Sequence, residues 1–221
     1  MEELTLFKSQ LQSVRQKMEY GEEVPQSFGK YLLERQKELE LSDDETAYLA
    51  GSMFGAGSDT TASAISISVL AAACYPKEQQ RVWDELESVV GRERPPTMGD
   101  QDKLPRTMAW VLETFRWRPV TAGGFPHRST RDIIWVRHFL FLAIFNQFFT
   151  YRAKNGYLIP KGATVIGNVW SVCRDPTYFP DPETFNPQRW LNKDGELRDD
   201  LKSYSFGFGR RVCPGHHIAT A

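Results

Sequence analysis

A glycine-rich run near the carboxyl end, residues 206–215, constrains the fold of this chain more than any other segment. Its sequence is FGFGRRVCPG, and its three glycines allow positive φ angles and a close approach of the backbone to a flat ligand. Two arginines precede the cysteine, Cys213, and neighbouring positive charge favours a thiolate over a thiol. The run therefore predicts a loop that presents the Cys213 sulfur to a metal. The alternative for a single cysteine is a buried, inert thiol beside a turn.

Three further motifs lie upstream of this loop. They are AGSDTT at residues 56–61, ETFR at residues 113–116 and FNPQRW at residues 185–190. In this order, and together with the cysteine run, they resemble the motifs of the cytochrome P450 family, and of its fungal members in particular. One position departs from the family pattern, because Gln188 replaces the glutamate that is usual there. The chain therefore resembles the C-terminal half of a cytochrome P450.

The resemblance implies a mainly α fold with a small β-sheet. Residues 1–221 would form a partial cytochrome P450 domain, from before the central oxygen-activation helix to the haem-cysteine loop, so that the fold is incomplete. One or two surface helices are predicted within residues 1–40, and the long helix that follows them is predicted to begin at a capping box formed by Ser42 and Glu45. Periodicity predicts helices within residues 1–40, 42–74, 76–90 and 105–118, and strands at residues 125–129, 133–135, 157–159 and 164–168.

The resemblance also implies the cofactor, haem b, with the Cys213 thiolate as the axial ligand to the iron. Such a thiolate donates electron density that favours O–O cleavage. Arg128, with His127 as the second candidate, is expected to bind one haem propionate and Arg211 the other, because a guanidinium pairs with a carboxylate through two hydrogen bonds. The remaining expected cofactor-binding residues belong to the cysteine loop: Phe206, Gly209 and Gly215.

Two groups of residues outside the loop take their roles from the same resemblance. Glu113 and Arg116, three residues apart on one helix face, are expected to form a buried structural network with Arg189 that holds the cysteine loop. The alternative is an ordinary surface ion pair. Asp59 and Thr60 are expected to be the catalytic pair that delivers protons during dioxygen activation. The alternative for Thr60 is a bond from its hydroxyl to the carbonyl four residues earlier.

The implied function is that of a haem-thiolate monooxygenase, which inserts one oxygen atom of O2 into a lipophilic organic substrate. Electrons would come from an NADPH–cytochrome P450 reductase, and the resemblance to fungal members implies a role in secondary metabolism. The alternative is an inactive truncated fragment that lacks the N-terminal half of the fold. The net charge of −1, from 27 Lys+Arg and 28 Asp+Glu, comes without a basic block and argues against a nucleic-acid partner.

The localisation is left open by the sequence. Three scattered cysteines are too few for a disulfide framework, which fits a reducing compartment. The relatives that the resemblance implies are anchored in the membrane of the endoplasmic reticulum. This sequence holds no apolar run near the length of about 20 residues that a membrane span needs, so no anchor is expected within it.

Residues 136–154 do not fit the family pattern. This segment of nineteen residues has no acidic residue and five of the chain's 14 phenylalanines. Its removal would join Trp135 to Asn155-Gly156, the strongest two-residue signal for a type I′ hairpin turn. We prefer the hypothesis of a non-native insert from a retained intron, because a valine codon begins with GT, a lysine codon can end in AG, and whole codons preserve the frame. The alternative is a genuine hydrophobic lid or membrane-dipping loop.

Overall fold

The computed structural model describes residues 2–136 and 156–220, which are mainly helical. Seven α-helices and four short strands occur in this described part. It separates into two compact units, Met1–Val69 and Leu70–Ala221, and their boundary falls inside the longest helix. The predicted fold class, mainly α with little β structure, is confirmed. The assignment of residues 1–221 to one partial domain stays a prediction.

The first unit contains α1 (Glu2–Glu19), α2 (Phe28–Arg35) and the first part of α3 (Asp43–Cys74). The helices predicted within residues 1–40 are confirmed, and so is the capping box. The Ser42 N–H and hydroxyl donate to the Glu45 carboxylate at 2.9 and 2.7 Å, and the Glu45 N–H donates back to the Ser42 hydroxyl at 3.2 Å. These bonds satisfy N–H groups that the start of a helix leaves without partners.

A polar cluster and a close ring contact hold α1 against the start of α3. Arg15 donates to the Asp43 carboxylate at 2.7 Å and to Gln36 at 3.0 Å. The hydrogen bond from Arg15, followed by the one from Gln36, lowers the pKa of Asp43 to about 2. The ring of Phe7 fills the space beside Gly51, where an added Cβ would lie 2.3 Å from ring atoms. Only glycine permits this approach, because interiors leave no spare volume.

Apolar residues lie on every side of α3, without the polar face that most surface helices have. A helix of this composition is stable in water when neighbouring elements cover it. Several of its large apolar side chains within the first unit are nevertheless exposed: Met53, Phe54, Ile65 and Val69. No helix in residues 2–136 or 156–220 combines the length and the apolar character that crossing a bilayer requires.

The second unit contains α4 (Pro76–Val89), a 3-10 helix (Met98–Lys103) and α5 (Pro105–Trp117). The 3-10 helix lies between the two helices that periodicity predicts at residues 76–90 and 105–118. The buried carboxylate of Glu85, on α4, accepts the N–H groups of Arg106 and Thr107 at 2.8 Å each and the Thr107 hydroxyl at 2.8 Å. Glu85 therefore caps the start of α5, where helix N–H groups have no intrahelical partner.

The core of the second unit forms where α5 packs against the segment that leads toward the cysteine loop. Phe185, from that segment, places its ring centroid 4.7 Å from Trp110 and 5.5 Å from Trp117, both edge-on. Edge-to-face aromatic pairs of this kind add to the stabilisation from burial. A second buried cluster joins Ala109 of α5 to two aromatic side chains from the later segment, Phe179 and Trp190.

The four strands form two separate antiparallel pairs within the described residues. They are β1 (Pro126–Arg128) with β4 (Thr164–Ile166), and β2 (Ile133–Val136) with β3 (Gly156–Ile159). All four occur where the sequence predicted strands, but as two two-stranded sheets rather than one. The remaining elements are short: α6 (Val169–Val172), 3-10 helices at Pro187–Trp190 and Gly209–Arg211, and α7 (His216–Ala219).

The proposed insert, residues 136–154, lies outside the described residues except for its first residue. Its flanking strands are described, and Trp135 pairs with Tyr157. In a hairpin with Asn155 and Gly156 as its two turn residues, Trp135 and Tyr157 would be the pair that flanks the turn. The observed register is therefore the one that a direct connection requires. The retained intron and the lid both stay predictions.

We expect deletion of residues 136–154 to keep the register of β2 and β3 and to raise the soluble yield. A long loop adds a closure entropy that grows as about (3/2)RT ln n, and it removes the turn preference of Asn-Gly. Amide hydrogen exchange at Trp135 and Tyr157 should be slower in the deletion variant than in the full chain.

The matched control replaces the same segment with a glycine-serine linker of equal length, which removes the phenylalanines but keeps the long loop. Only the deletion should slow the exchange. A lower soluble yield after deletion, or a mature transcript that retains the codons for residues 136–154, would contradict the intron hypothesis.

Candidate functional site

The cysteine loop, residues 206–215, is closed by a backbone hydrogen bond near its two ends. The Cys213 N–H donates to the Phe206 carbonyl at 2.9 Å. Gly207 and Gly209 have φ angles of +76° and +69°, in the region where a Cβ is disfavoured. The loop therefore needs glycine at these two positions, and Gly209 starts the short 3-10 helix that precedes the cysteine.

The Cys213 side chain is partly exposed and forms no disulfide. Gly215 lies beside the sulfur, since a Cβ added there would be in ordinary van der Waals contact with it at 3.9 Å. Arg210 and Arg211 precede it with exposed side chains. A partly exposed thiol in a glycine loop with cationic neighbours has the character of a metal ligand. These residues fit a haem iron bound through sulfur.

Cys173 is the buried thiol of this unit, with 1 % of its surface exposed. Burial raises the pKa of the Cys173 thiol, against a smaller lowering by the Ser205 hydroxyl, 3.8 Å from the sulfur. A thiol in such surroundings stays protonated and unreactive. The alternative of a buried, inert cysteine therefore describes Cys173 and not Cys213.

The Glu113 carboxylate, on α5, is fully buried and accepts five hydrogen bonds. One oxygen accepts from Arg116 at 2.8 Å, from the Asn186 N–H at 2.8 Å and from Arg189 at 3.2 Å. The other accepts from Arg116 at 2.8 Å and from the Trp190 indole N–H at 2.9 Å. Because both ends of the Glu113–Arg116 pair have 0 % exposure, the alternative of a surface ion pair is excluded.

The Arg116 guanidinium is also fully buried, and all five of its N–H groups have acceptors. Beyond the two bonds to Glu113, it donates to the backbone carbonyls of Cys173 at 2.8 Å, Pro182 at 2.9 Å and Thr184 at 3.3 Å. A buried charge is tolerated when it is paired and fully hydrogen-bonded. Arg116 thus fixes the backbone of the irregular segment to α5.

Arg189 extends the same network toward the surface. Besides Glu113, it donates to the carbonyls of Pro180 at 2.9 Å and of Asp181 and Thr184 at 3.3 Å. Its side chain is 8 % exposed. The structure therefore brings together the three residues that the motifs placed in a network, and it adds the backbone carbonyls of the segment between them.

The two candidates for haem propionates, His127 and Arg128, lie on β1, where both are exposed. They pair with Val165 and Thr164 of β4. The Arg128 guanidinium reaches the position beside Gly162, where an added Cβ would lie 3.9 Å from its terminal nitrogen. Their role toward a propionate stays a prediction.

The predicted catalytic pair lies on α3 in the first unit, and both side chains are exposed. The Thr60 hydroxyl donates to the Ala56 carbonyl at 2.6 Å, which is the local bond named as the alternative to a proton-relay role. Ser58 makes the same kind of bond to Phe54 at 2.8 Å. A hydroxyl that donates in this way keeps its lone pairs free to accept, and the relay role of Thr60 stays a prediction.

The structure connects the Glu113 network and the cysteine loop within the second unit. Phe206, at the start of the loop, places its ring centroid 4.8 Å from that of Phe115 on α5. Asp59 and Thr60 belong to the first unit, and their role in proton delivery stays a prediction.

Three groups of the site were not predicted from the motifs. The Asn186 N–H and the Trp190 indole donate to Glu113, and the Ser205 hydroxyl donates to the Phe115 carbonyl. A signal existed for Trp190, because a buried indole N–H needs an acceptor and this tryptophan directly follows Arg189. The sequence held no comparable signal for Ser205, whose hydroxyl donates to the Phe115 carbonyl from 90 residues away.

Comparison with known proteins agrees with this geometry. The family model described as "Cytochrome P450" matches residues 4–140 and 153–221. The chain therefore belongs to the cytochrome P450 family, as the motifs predicted. Membership implies a haem cofactor with thiolate ligation. The unmatched residues, 141–152, fall inside the proposed insert.

Curated relatives are fungal members of the same family. The chain is 54% identical over 218 residues to cytochrome P450 monooxygenase 113 of Postia placenta and 52% identical to cytochrome P450 monooxygenase 64 of the same organism. A cytochrome P450 monooxygenase of Armillaria gallica is 39% identical over 221 residues. The alignments with the two Postia placenta proteins include 99% of this chain but only 40% of each relative. The chain thus spans about two fifths of their length.

The departure from the family pattern at Gln188 has a local explanation. Its side-chain amide donates to the Glu78 carboxylate at 3.0 Å, and Arg81 donates to the other oxygen of Glu78 at 2.6 Å. The Glu78 side chain is 17% exposed. A glutamate at position 188 would place two carboxylates in contact, whereas the amide of glutamine supplies a donor.

We expect Gln188→Glu to lower the free energy of unfolding by about 1–2 kcal/mol at neutral pH, because it replaces a hydrogen bond to a carboxylate with like-charge repulsion. Urea unfolding of the wild type, both single variants and the double variant with Glu78→Gln would measure the coupling. The double variant reverses the donor and acceptor, so it should recover part of the loss. Equal stability of Gln188→Glu and the wild type would contradict the pairing.

Proposed function

We propose that this chain contributes the haem-binding and oxygen-activating part of a monooxygenase that inserts one oxygen atom of O2 into a lipophilic organic substrate. Electrons would come from an NADPH–cytochrome P450 reductase. The observation that carries the proposal is the complete cysteine loop, with a partly exposed Cys213 whose N–H is bonded to Phe206. The relatives support the class of reaction, since those compared are named monooxygenases.

Each predicted site residue has a defined task in this proposal. Cys213 would bind the iron as a thiolate, while Arg211, Arg128 and His127 would pair with the propionates. When bound, haem b supplies the activation of dioxygen, and its thiolate ligand raises the electron density that this activation needs. The loop glycines would let the backbone lie close to the porphyrin plane.

Asp59 and Thr60 would hold and move protons on the oxygen side. The Thr60 hydroxyl now donates to the Ala56 carbonyl at 2.6 Å. To donate elsewhere it must rotate, while its free lone pairs can accept a proton from a neighbouring group. Asp59 is exposed and would exchange protons with water. This division assigns delivery to Thr60 and resupply to Asp59.

The competing proposal is that the chain is inactive by itself. Two observations favour it: the chain spans about two fifths of the curated relatives, with 40% of each covered, and α3 leaves large apolar side chains exposed. In this case the same residues would need the rest of the family fold before haem binds. A haem-loading experiment on the chain alone and on a chimera distinguishes the two proposals.

We expect Cys213→His to convert the spectrum of the reduced, carbon monoxide-bound haem from the thiolate type to the imidazole type. The measurement uses the chain and a chimera in which it replaces the aligned part of the 54% identical relative. Cys74→Ser is the matched control, since Cys74 is exposed and is assigned no ligand role, and it should keep the thiolate spectrum. Haem uptake by the chimera alone would favour the inactive fragment, and an unchanged spectrum in Cys213→His would remove Cys213 as the ligand.

We expect Thr60→Ala to uncouple reductant consumption from product formation in the haem-loaded chimera, with several-fold more peroxide released per NADPH, because proton delivery is then impaired. Asp59→Asn should mainly slow turnover. Ser58→Ala is the control, since it removes the same kind of local bond from the same helix. Normal coupling in Thr60→Ala, or equal uncoupling in Ser58→Ala, would contradict the relay role.

A further inference from the structure

We propose that Ser205 is a positioning residue for Cys213, and this inference rests on the proposed role of Cys213 as the iron ligand. Its hydroxyl ties the start of the cysteine loop to the end of α5, the helix that carries Glu113 and Arg116. The tether thereby fixes the loop that presents the sulfur.

The need for this tether originates in the sequence at the end of α5. The Phe115 carbonyl would normally accept the N–H of the residue four positions later, but that residue is Pro119, which has no N–H. The residue before a proline is also kept out of helical conformation, and Arg118 has φ −138° and ψ 79°. α5 therefore ends with a carbonyl that needs an external donor.

Ser205 supplies that donor from another part of the chain. Its hydroxyl donates to the Phe115 carbonyl at 2.9 Å, and the residue is 9% exposed. The hydroxyl of Ser203 donates to Ser205 at 3.2 Å, which occupies an acceptor position and leaves the Ser205 proton for Phe115. The hydroxyl is thus oriented toward α5.

The position of Ser205 next to the loop transmits this bond to the sulfur. The following residue, Phe206, packs its ring 4.8 Å from Phe115 and accepts the Cys213 N–H at 2.9 Å. One hydrogen bond and one ring contact therefore join α5 to the start of the loop, and a second hydrogen bond joins that start to the cysteine. Without the hydroxyl, only the ring contact still joins α5 to the start of the loop.

The test measures amide hydrogen exchange at Cys213 in the haem-free chain. We expect Ser205→Ala to speed this exchange by about threefold to tenfold, the equivalent of one lost hydrogen bond. Ser88→Ala is the matched control, because it removes a serine hydroxyl that donates to a backbone carbonyl on α4, that of Glu85 at 2.9 Å, and it should change the exchange by less than about twofold. Ser205→Thr keeps the hydroxyl and should stay near the wild type.

A double variant separates tethering from simple capping of the helix. Pro119→Ala restores a backbone N–H that can satisfy the Phe115 carbonyl. Combined with Ser205→Ala, it should recover the unfolding midpoint while the exchange at Cys213 stays fast. Recovery of both quantities would show that Ser205 only caps α5 and would overturn the proposal, as would unchanged exchange at Cys213 in Ser205→Ala. If Ser205→Ala does not fold, the same comparison is made with the double variant against Pro119→Ala alone.

A spectral readout connects the tether to the iron site. In the haem-loaded chimera, Ser205→Ala should reduce the thiolate fraction of the carbon monoxide spectrum, and Ser205→Thr should restore it. An unchanged thiolate fraction would overturn the positioning role. Failure of the proposed function would give a different pair of results. Cys213→His would leave the carbon monoxide spectrum unchanged, while Ser205→Ala would still speed the amide exchange at Cys213 in the haem-free chain.

Discussion

The buried carboxylate of Glu113 is the constraint on which the rest of the second unit depends. An unpaired ionised carboxylate in a protein interior is destabilising by several kcal/mol, so donors must surround it. α5 itself supplies only Arg116, and the other donors come from residues 73 to 77 positions later in the chain. The course of this irregular segment is therefore determined by the donors that a buried charge requires rather than by regular secondary structure.

The cysteine loop depends on the same helix. The ring of Phe115 contacts the ring of Phe206, and the Phe115 carbonyl accepts a hydrogen bond from the Ser205 hydroxyl. A ligand residue is held accurately when its surroundings are rigid and each polar group has a partner. Along the path from Glu113 through α5 to the start of the loop, the Glu113 carboxylate, the Phe115 carbonyl and the Ser205 hydroxyl all have partners, which is the basis for the proposed role of Ser205.

Sequence reasoning succeeded where the signal was local or formed a known motif. The capping box at Ser42 and the length of α3 follow from neighbouring residues, and the motifs named Glu113, Arg116 and Arg189 together. The contacts of Ser205 and Glu85 were missed because their partners lie 90 and 21 to 22 residues away, and local patterns carry no information about such distances. Thr60 stayed ambiguous because one hydroxyl can serve both a local bond and a relay.

Gln188 shows why a departure from a family motif must be judged with its spatial neighbours. None of the five hydrogen bonds to Glu113 comes from position 188; they come from Arg116, Asn186, Arg189 and Trp190. Position 188 instead contacts Glu78 of α4, and a donor is needed there because Glu78 is an acceptor. Glutamine at position 188 therefore leaves the hydrogen bonds to Glu113 unchanged. Its amide supplies the donor that the Glu78 carboxylate on α4 accepts.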